Sequence, residues 1–174
     1  MQMALAASDV SLLTALLSPS LLGPNSGLVY DGENISAPDG SALAAAITTA
    51  TADPNWKING GKAQLKAYAA SARYNKEVGG TTVSGVAYPT DRETQAKMTA
   101  AYNMAAANPN LSIDWKLPDG TFTTLTAAQM QAVAVAVGAF VQQCFGAEAA
   151  VVVGINNGTI TTNAQIDAQF AAFS

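Results

Sequence analysis

The side chains best suited to chemistry are the carboxylates of "TDRETQ" and "DWKLPDG", which are Asp91, Glu93, Asp114 and Asp119, and the thiol of Cys144. Two carboxylates converging on one bond would supply a general acid and a general base, as in glycoside cleavage. Each also has a structural use. Asp91 and Glu93 place negative charge at a helix start, where the backbone dipole is positive. Asp119 fills a turn position in Pro118-Asp119-Gly120. Cys144, in "VQQCFGAEAA", has no Lys or Arg within ten residues to stabilise a thiolate, so it reads as a buried structural thiol.

The remaining constellations are weaker. "GGTTVSG", residues 79–85, is glycine-rich but lacks the Lys-Ser/Thr of a phosphate loop and does not open a helix. It reads as a helix stop followed by an edge strand. Asp31, Glu33 and Asp39 are too sparse for a calcium loop. Trp56 and Trp115 have faces that stack on sugar or base rings, but an indole beneath a hairpin is an ordinary core anchor. Histidine is absent, which removes the commonest general base and metal ligand. These residues predict no catalytic group, no cofactor, no metal site and no enzyme.

Composition narrows the partners. Charged residues make up 11% of the 174 positions, under half of the usual quarter or so, while the apolar share of 49% is ordinary. Two readings fit: a weakly charged soluble surface, or faces covered by other subunits, since interface cores are depleted in charge. The net charge is −4 with eight Lys plus Arg and no basic cluster, so a nucleic-acid partner is not expected. One cysteine permits no intrachain disulfide. The leucine-rich start lacks a positive leading segment and carries Asp9, so no secretory signal is expected. The apolar stretch from Ala127 to Ile155 is interrupted by Gln129, Gln131, Gln142, Gln143 and Glu148, and no membrane span is expected there.

Helices and short hairpins must position these groups. Ser8 and Asp9 suit a helix start, and Leu12, Leu13, Leu16 and Leu17 repeat at helical spacing behind them, predicting a helix over 8–22. That leucine face either packs on its own domain or docks on a neighbouring subunit, so Leu12, Leu13, Leu16 and Leu17 are the partner-contact candidates. "LVYDGENIS" reads as a hairpin about Asp31-Gly32. Ser41 to Ala52 reads as a short helix ended before Pro54, and Asn59-Gly60-Gly61 as a turn. Gly61 to Glu77 is a predicted helix stopped at Gly79-Gly80, followed by the extended segment "TTVSGVAYP".

In "PTDRETQAKMTAAYNMAAANP", Thr90 and Glu93 have the spacing of a capping box, and Met98, Ala101, Tyr102 and Ala105 form the apolar face. "LSIDWKLPDGTFTTL" predicts a hairpin turning at Pro118-Asp119-Gly120, with Ile113, Trp115 and Phe122 on the face that packs on a helix. Thr126 and Gln129 then cap a long helix with a stripe of Met130, Val133, Ala134, Val137, Val141, Cys144 and Phe145. The alternation in "AVAVAVG" leaves a strand as the competing reading. The chain turns at Asn157-Gly158 and closes with a short helix through Ile166 and Phe170.

Four stretches in order, "RYNKEVGG" (73–80), "TDRETQAK" (90–97), "DWKLPDGTFTTLT" (114–126) and "VQQCFGAE" (141–148), carry a resemblance. Together they resemble a small domain family of unknown function that occurs in bacteriophage and prophage tail-fibre and tail-assembly proteins. Its pattern has Arg-aromatic-x-x-Glu ahead of Gly-Gly, a Thr-Asp-Arg/x-x-Ser/Thr-Gln helix start, and a Trp-Lys-x-x-Asp-Gly hairpin feeding a Leu-Thr cap. The likeness runs from about Lys62 to Phe170, and Tyr74 stands where the family often has tryptophan. It brings no catalytic residues with it.

The resemblance implies a phage-tail context: other tail proteins, fibre or baseplate subunits, as partners in a multimeric assembly, and a place in the virion tail after synthesis in the bacterial cytoplasm. The expected fold is α+β, a mainly helical C-terminal domain (56–174) with a β-hairpin between two capped helices, behind an N-terminal docking arm (1–55) of a helix and a hairpin. Arg73, Glu77, Asp91, Trp115, Asp119 and Gly120 are its expected structural frame. The expected function is a structural tail component, at the baseplate or at fibre attachment, acting through protein–protein contacts. The alternatives are a tail-fibre assembly chaperone not retained in the virion and a carbohydrate-binding tail module.

Overall fold

Proline and capping residues set most of the element boundaries in this chain, whose computed structural model describes residues 1–173. The fold is α+β, as the sequence predicts, and divides into two compact units, Met1–Tyr68 and a second from Ala69 onward. The expected boundary after residue 55 falls just ahead of a helix in which the two units meet along the chain.

In the first unit, a three-stranded antiparallel sheet has the order β1 (Gln2–Ala4), β3 (Asn34–Ser36), β2 (Val29–Tyr30). The β2–β3 hairpin turns where Asp31-Gly32 predicts it. Asp31 Oδ1 accepts the backbone N–H groups of Glu33 (3.0 Å) and Asn34 (2.7 Å), which holds the turn. Strand β1, which the sequence reading does not contain, pairs Met3 with Ile35 on the central strand. Helix α1 (Ala7–Leu16) is shorter than expected: Leu17 and Ser18 are extended, and Pro19 opens a separate 3-10 turn (Pro19–Leu21). A residue before proline is driven out of the helical region, which ends the helix. Helix α2 (Ala42–Ala52) starts on Ser41, whose hydroxyl accepts from Ala44 N at 3.0 Å, and stops before Pro54 as expected.

Helix α3 (Trp56–Val78) overturns the turn expected at Asn59-Gly60-Gly61, for those residues are helical. Gly60 is there for packing. A Cβ on it would overlap the Leu12 carbonyl oxygen and stand 2.8 Å from the carbonyl carbon, so only glycine lets α3 come this close to α1.

The second unit is built on α4 (Arg92–Ala107) and α5 (Ala127–Asn157), with α6 (Asn163–Ala171) against α5. Its core joins Met98, Ala101 and Ala105 of α4 to Met130, Val133 and Val137 of α5, with Tyr88 and Leu125 from the hairpins. "AVAVAVG" is helix, favoured by the Thr126–Gln129 capping box, in which Gln129 N donates to Thr126 Oγ1 at 3.3 Å. The segment expected to be singly extended folds back on itself as β4 (Thr81–Val83) and β5 (Val86–Tyr88). Ser84 and Gly85, at φ 52° and 81°, make the turn that suits tightly twisted hairpins. Tyr102, expected on the buried face of α4, is partly exposed.

Candidate functional site

Three of the four motif stretches converge on one buried polar cluster. Arg73 and Glu77 lie one turn apart on α3 and form an ion pair, with Glu77 only 2% exposed. Glu148, on α5, accepts from Arg73 Nε at 2.9 Å, and the guanidinium lies over the Phe145 ring at 4.6 Å. Gln95 of α4 closes the other side, its Nε2 donating to Glu77 Oε1 (3.3 Å) and to the Thr90 carbonyl (2.7 Å). Thr90 is fully buried: its hydroxyl donates to the Glu77 carbonyl and accepts from Gly80 N at 2.9 Å.

Burial of the Arg73 guanidinium works to lower its pKa, but the hydrogen bonds to Glu148 and Glu77 outweigh that and hold it above its ordinary value. Cys144 is buried nearby; burial pushes its thiol up and the Glu77 carboxylate adds to the rise, against Lys76 and Arg73. Among the described residues, no buried side-chain nitrogen or oxygen lacks a hydrogen-bond partner. A saturated ion cluster of this kind fixes the relative placement of three helices and offers little unsatisfied polarity for a substrate.

This geometry corrects the expected helix start. Asp91, not Thr90, is the N-cap of α4: its carboxylate accepts from Thr94 N at 2.9 Å and from the Thr94 hydroxyl. Those bonds, the hydroxyl's first, hold the Asp91 carboxyl below its usual range. Glu93 pairs instead with Lys97 on the exposed face, at 2.6 Å. Sequence reasoning singled out Arg73 and Glu77 but missed Thr90, Gln95 and Glu148 as their partners. The available signal was their position inside the resembling stretches.

The fourth stretch stands apart as β6 (Ser112–Lys116) and β7 (Phe122–Thr126). Gly120 N donates to the Leu117 carbonyl at 3.0 Å, with Pro118 and Asp119 between them and Gly120 at φ 87°. Asp119 Oδ1 accepts from the Thr121 hydroxyl (2.7 Å) and backbone N–H (2.9 Å), which lower its pKa in that order. Trp115 is half-buried and, with Ile113, packs on the core of this unit. Phe122 does not share their face. It pairs with Lys116, one position out of step with Trp115, and is 69% exposed. Trp115, Phe122 and Asp114 border a hollow of about 410 Å³ whose lining holds a single carboxylate, Asp114, bonded to the Thr124 hydroxyl at 2.7 Å.

In the first unit, Leu13 and Leu17 are buried with Ile35, Leu43 and Ile47 in that unit's own core, while Leu12 and Leu16 are half-buried. The four therefore do not form one free leucine face. The second unit also carries an apolar surface. A groove of about 280 Å³ runs between α4 and α5, lined among others by Thr99, Tyr102, Val135, Gly138 and Gln142. α5 is long and apolar enough to cross a membrane, with a window of mean hydropathy 1.5, and its inward stripe forms the core just described. Among the described residues, no three His, Cys, Asp or Glu side chains come together as a metal site.

Residues 60–172 match the family model described as a domain of unknown function, DUF4376. No curated protein and no solved structure matches the chain.

Proposed function

The chain belongs to the DUF4376 family of domains of unknown function, and from the resemblance of its motif stretches, not from that membership, we propose a structural role in a bacteriophage tail, as a baseplate or fibre-attachment component acting through protein–protein contacts. The tail context is supported by the four ordered stretches from Arg73 to Glu148 and their likeness to domains of tail-fibre and tail-assembly proteins. The contact-based, non-enzymatic role is supported by one observation above all. The charged side chains of those stretches that lie buried are bound to one another, while the outer surface of α4 and α5 presents an apolar groove. A low charged share suits a subunit surrounded by protein.

Quantitative mass spectrometry of purified particles tests this. A fixed stoichiometric signal is expected for a tail component. Its absence from finished particles, with fibres missing when the gene is deleted, would make the protein an assembly chaperone instead.

A further inference from the structure

Two hollows of the second unit share Pro89 as a wall. One, of about 460 Å³, is bordered by Lys76, Thr81, Thr82 and Pro118. The other is the hollow of about 410 Å³ beside Trp115, which Lys97, Lys116 and Leu117 also border. Leu117 and Pro118 are consecutive in the chain, so the two hollows adjoin and form one groove. Three of the chain's eight basic side chains gather along it, against one lining carboxylate, Asp114, in a chain of net charge −4. A cleft lined mainly by one sign of charge concentrates ligands of the other.

Little within the fold holds these cations. Lys97 pairs with Glu93, but the two side chains are 64% and 76% exposed, and pairs of that kind contribute little. Lys76 Nζ lies over the Phe173 ring at 5.1 Å. Lys116 takes part in none of the ion pairs among the described residues. Its cross-strand neighbour Phe122 is exposed and no part of the core, and Trp115 presents part of its indole to the same hollow. Asp114 Oδ1 takes the Thr124 hydroxyl, which leaves Oδ2 for a donor from outside.

We propose that this groove binds a saccharide bearing carboxylates, a run of uronic acid rings. The C–H face of one ring lies on Phe122 and Trp115, its hydroxyls donate to Asp114, and its carboxylate accepts from Lys116 and Lys97. A following ring passes Pro89 and offers its carboxylate to Lys76. Each class of group in the groove has a use for such a ligand. An acidic peptide would meet the lysines, but its carboxylate side chains bring no donor to Asp114 and no ring to the aromatics. A neutral sugar would leave the lysines idle. The site is independent of the tail reading, so either can fail alone.

Isothermal titration of the full chain with tetragalacturonate at low ionic strength is expected to saturate with a Kd of about 1 mM or below, weakening as salt is raised. Phe122→Ala and Lys116→Ala, both at exposed positions, should each weaken binding about threefold or more without lowering the Tm. Lys57→Ala, on the first unit, should leave it unchanged. Cellotetraose, which lacks carboxylates, and tetraglutamate, which lacks sugar rings, should bind more weakly. Failure of tetragalacturonate to saturate, equally tight binding of cellotetraose or tetraglutamate, or wild-type affinity in the Phe122 and Lys116 variants would each overturn the assignment.

Discussion

Arg73 Nε stands 2.9 Å from Glu148 Oε2, an ion pair between residues 75 positions apart, and Glu77 completes it from the opposite side. The two carboxylates are not equally sheltered: the side chain of Glu77 is 3% exposed and that of Glu148 23%. Removing Glu77 leaves both Arg73 and Gln95 short of a buried acceptor. Glu77→Ala should therefore cost about 3–5 kcal/mol, as expected when one partner of a buried pair is lost. Glu148→Ala, with water able to replace part of the lost contact, should cost about 2 kcal/mol. Urea denaturation followed by tryptophan fluorescence in a Trp56→Phe background, which leaves Trp115 as the reporter, would give the order.

Neighbouring glycines in α3 should respond in opposite ways to the same change. At Gly60 a methyl group runs into the Leu12 backbone, which cannot move without shifting α1, so Gly60→Ala should destabilise the first unit by about 1–3 kcal/mol. At Gly61 the nearest atom is Leu12 Cδ2 at 4.0 Å, an ordinary contact. Gly61→Ala should stabilise by up to about 1 kcal/mol through helix propensity. Thermal unfolding of the two variants checks the sign of each.

The cap on α4 makes stability pH-dependent. Thr94, through its hydroxyl and then its backbone N–H, holds the Asp91 carboxyl below the usual range. A carboxylate with its folded pKa depressed contributes stability that is present above the unfolded pKa, about 4, and disappears as pH falls through the lower folded value. Stability should accordingly drop more steeply on acidification for the wild type than for Asp91→Asn, which caps without titrating. At neutral pH Asp91→Ala should cost about 1 kcal/mol.

Cys144 is fully buried and its thiol is pushed up by that burial. Alkylation by iodoacetamide should thus follow the opening of the second unit. Glu77→Ala should accelerate labelling by about tenfold for each ~1.4 kcal/mol of stability it loses, as expected when reaction proceeds through the opened state. Fast labelling of the stable wild type would place the thiol at the surface.

Helix locations were legible where a cap and a period agreed, as at Thr126–Gln129. Two failures share a cause: residues of small local signal were fixed by distant neighbours. Asn59-Gly60-Gly61 looks like a turn to any local reading, yet the glycine answers to Leu12, which no window around residue 60 contains. Thr90 has the type and spacing of a cap, but the Glu77 carbonyl and Gly80 N take its hydroxyl, leaving the cap to Asp91. Phe122 was misplaced for a simpler reason. Residues 122 and 125 cannot share a strand face, and Leu125 is the one that faces the core. Of the candidate site, the pair Arg73–Glu77 could be read from its i, i+4 spacing, whereas Glu148 and Gln95 depend on how α4 and α5 pack.

The central claim, that the motif residues act by holding the domain together, is tested most directly by replacing the ionic cluster as a whole. Arg73→Met, Glu77→Leu and Glu148→Leu together exchange buried ions for apolar groups of similar size, a change that commonly preserves folding. On the proposed tail role, the measurement is the titre of infectious particles when this triple variant stands in for the wild-type gene, with folding verified on the purified protein. A scaffolding role predicts a wild-type titre from any triple variant that reaches the wild-type Tm. A variant folded to that Tm that yields no infectious particles would contradict the claim and place one of these three residues on the working surface.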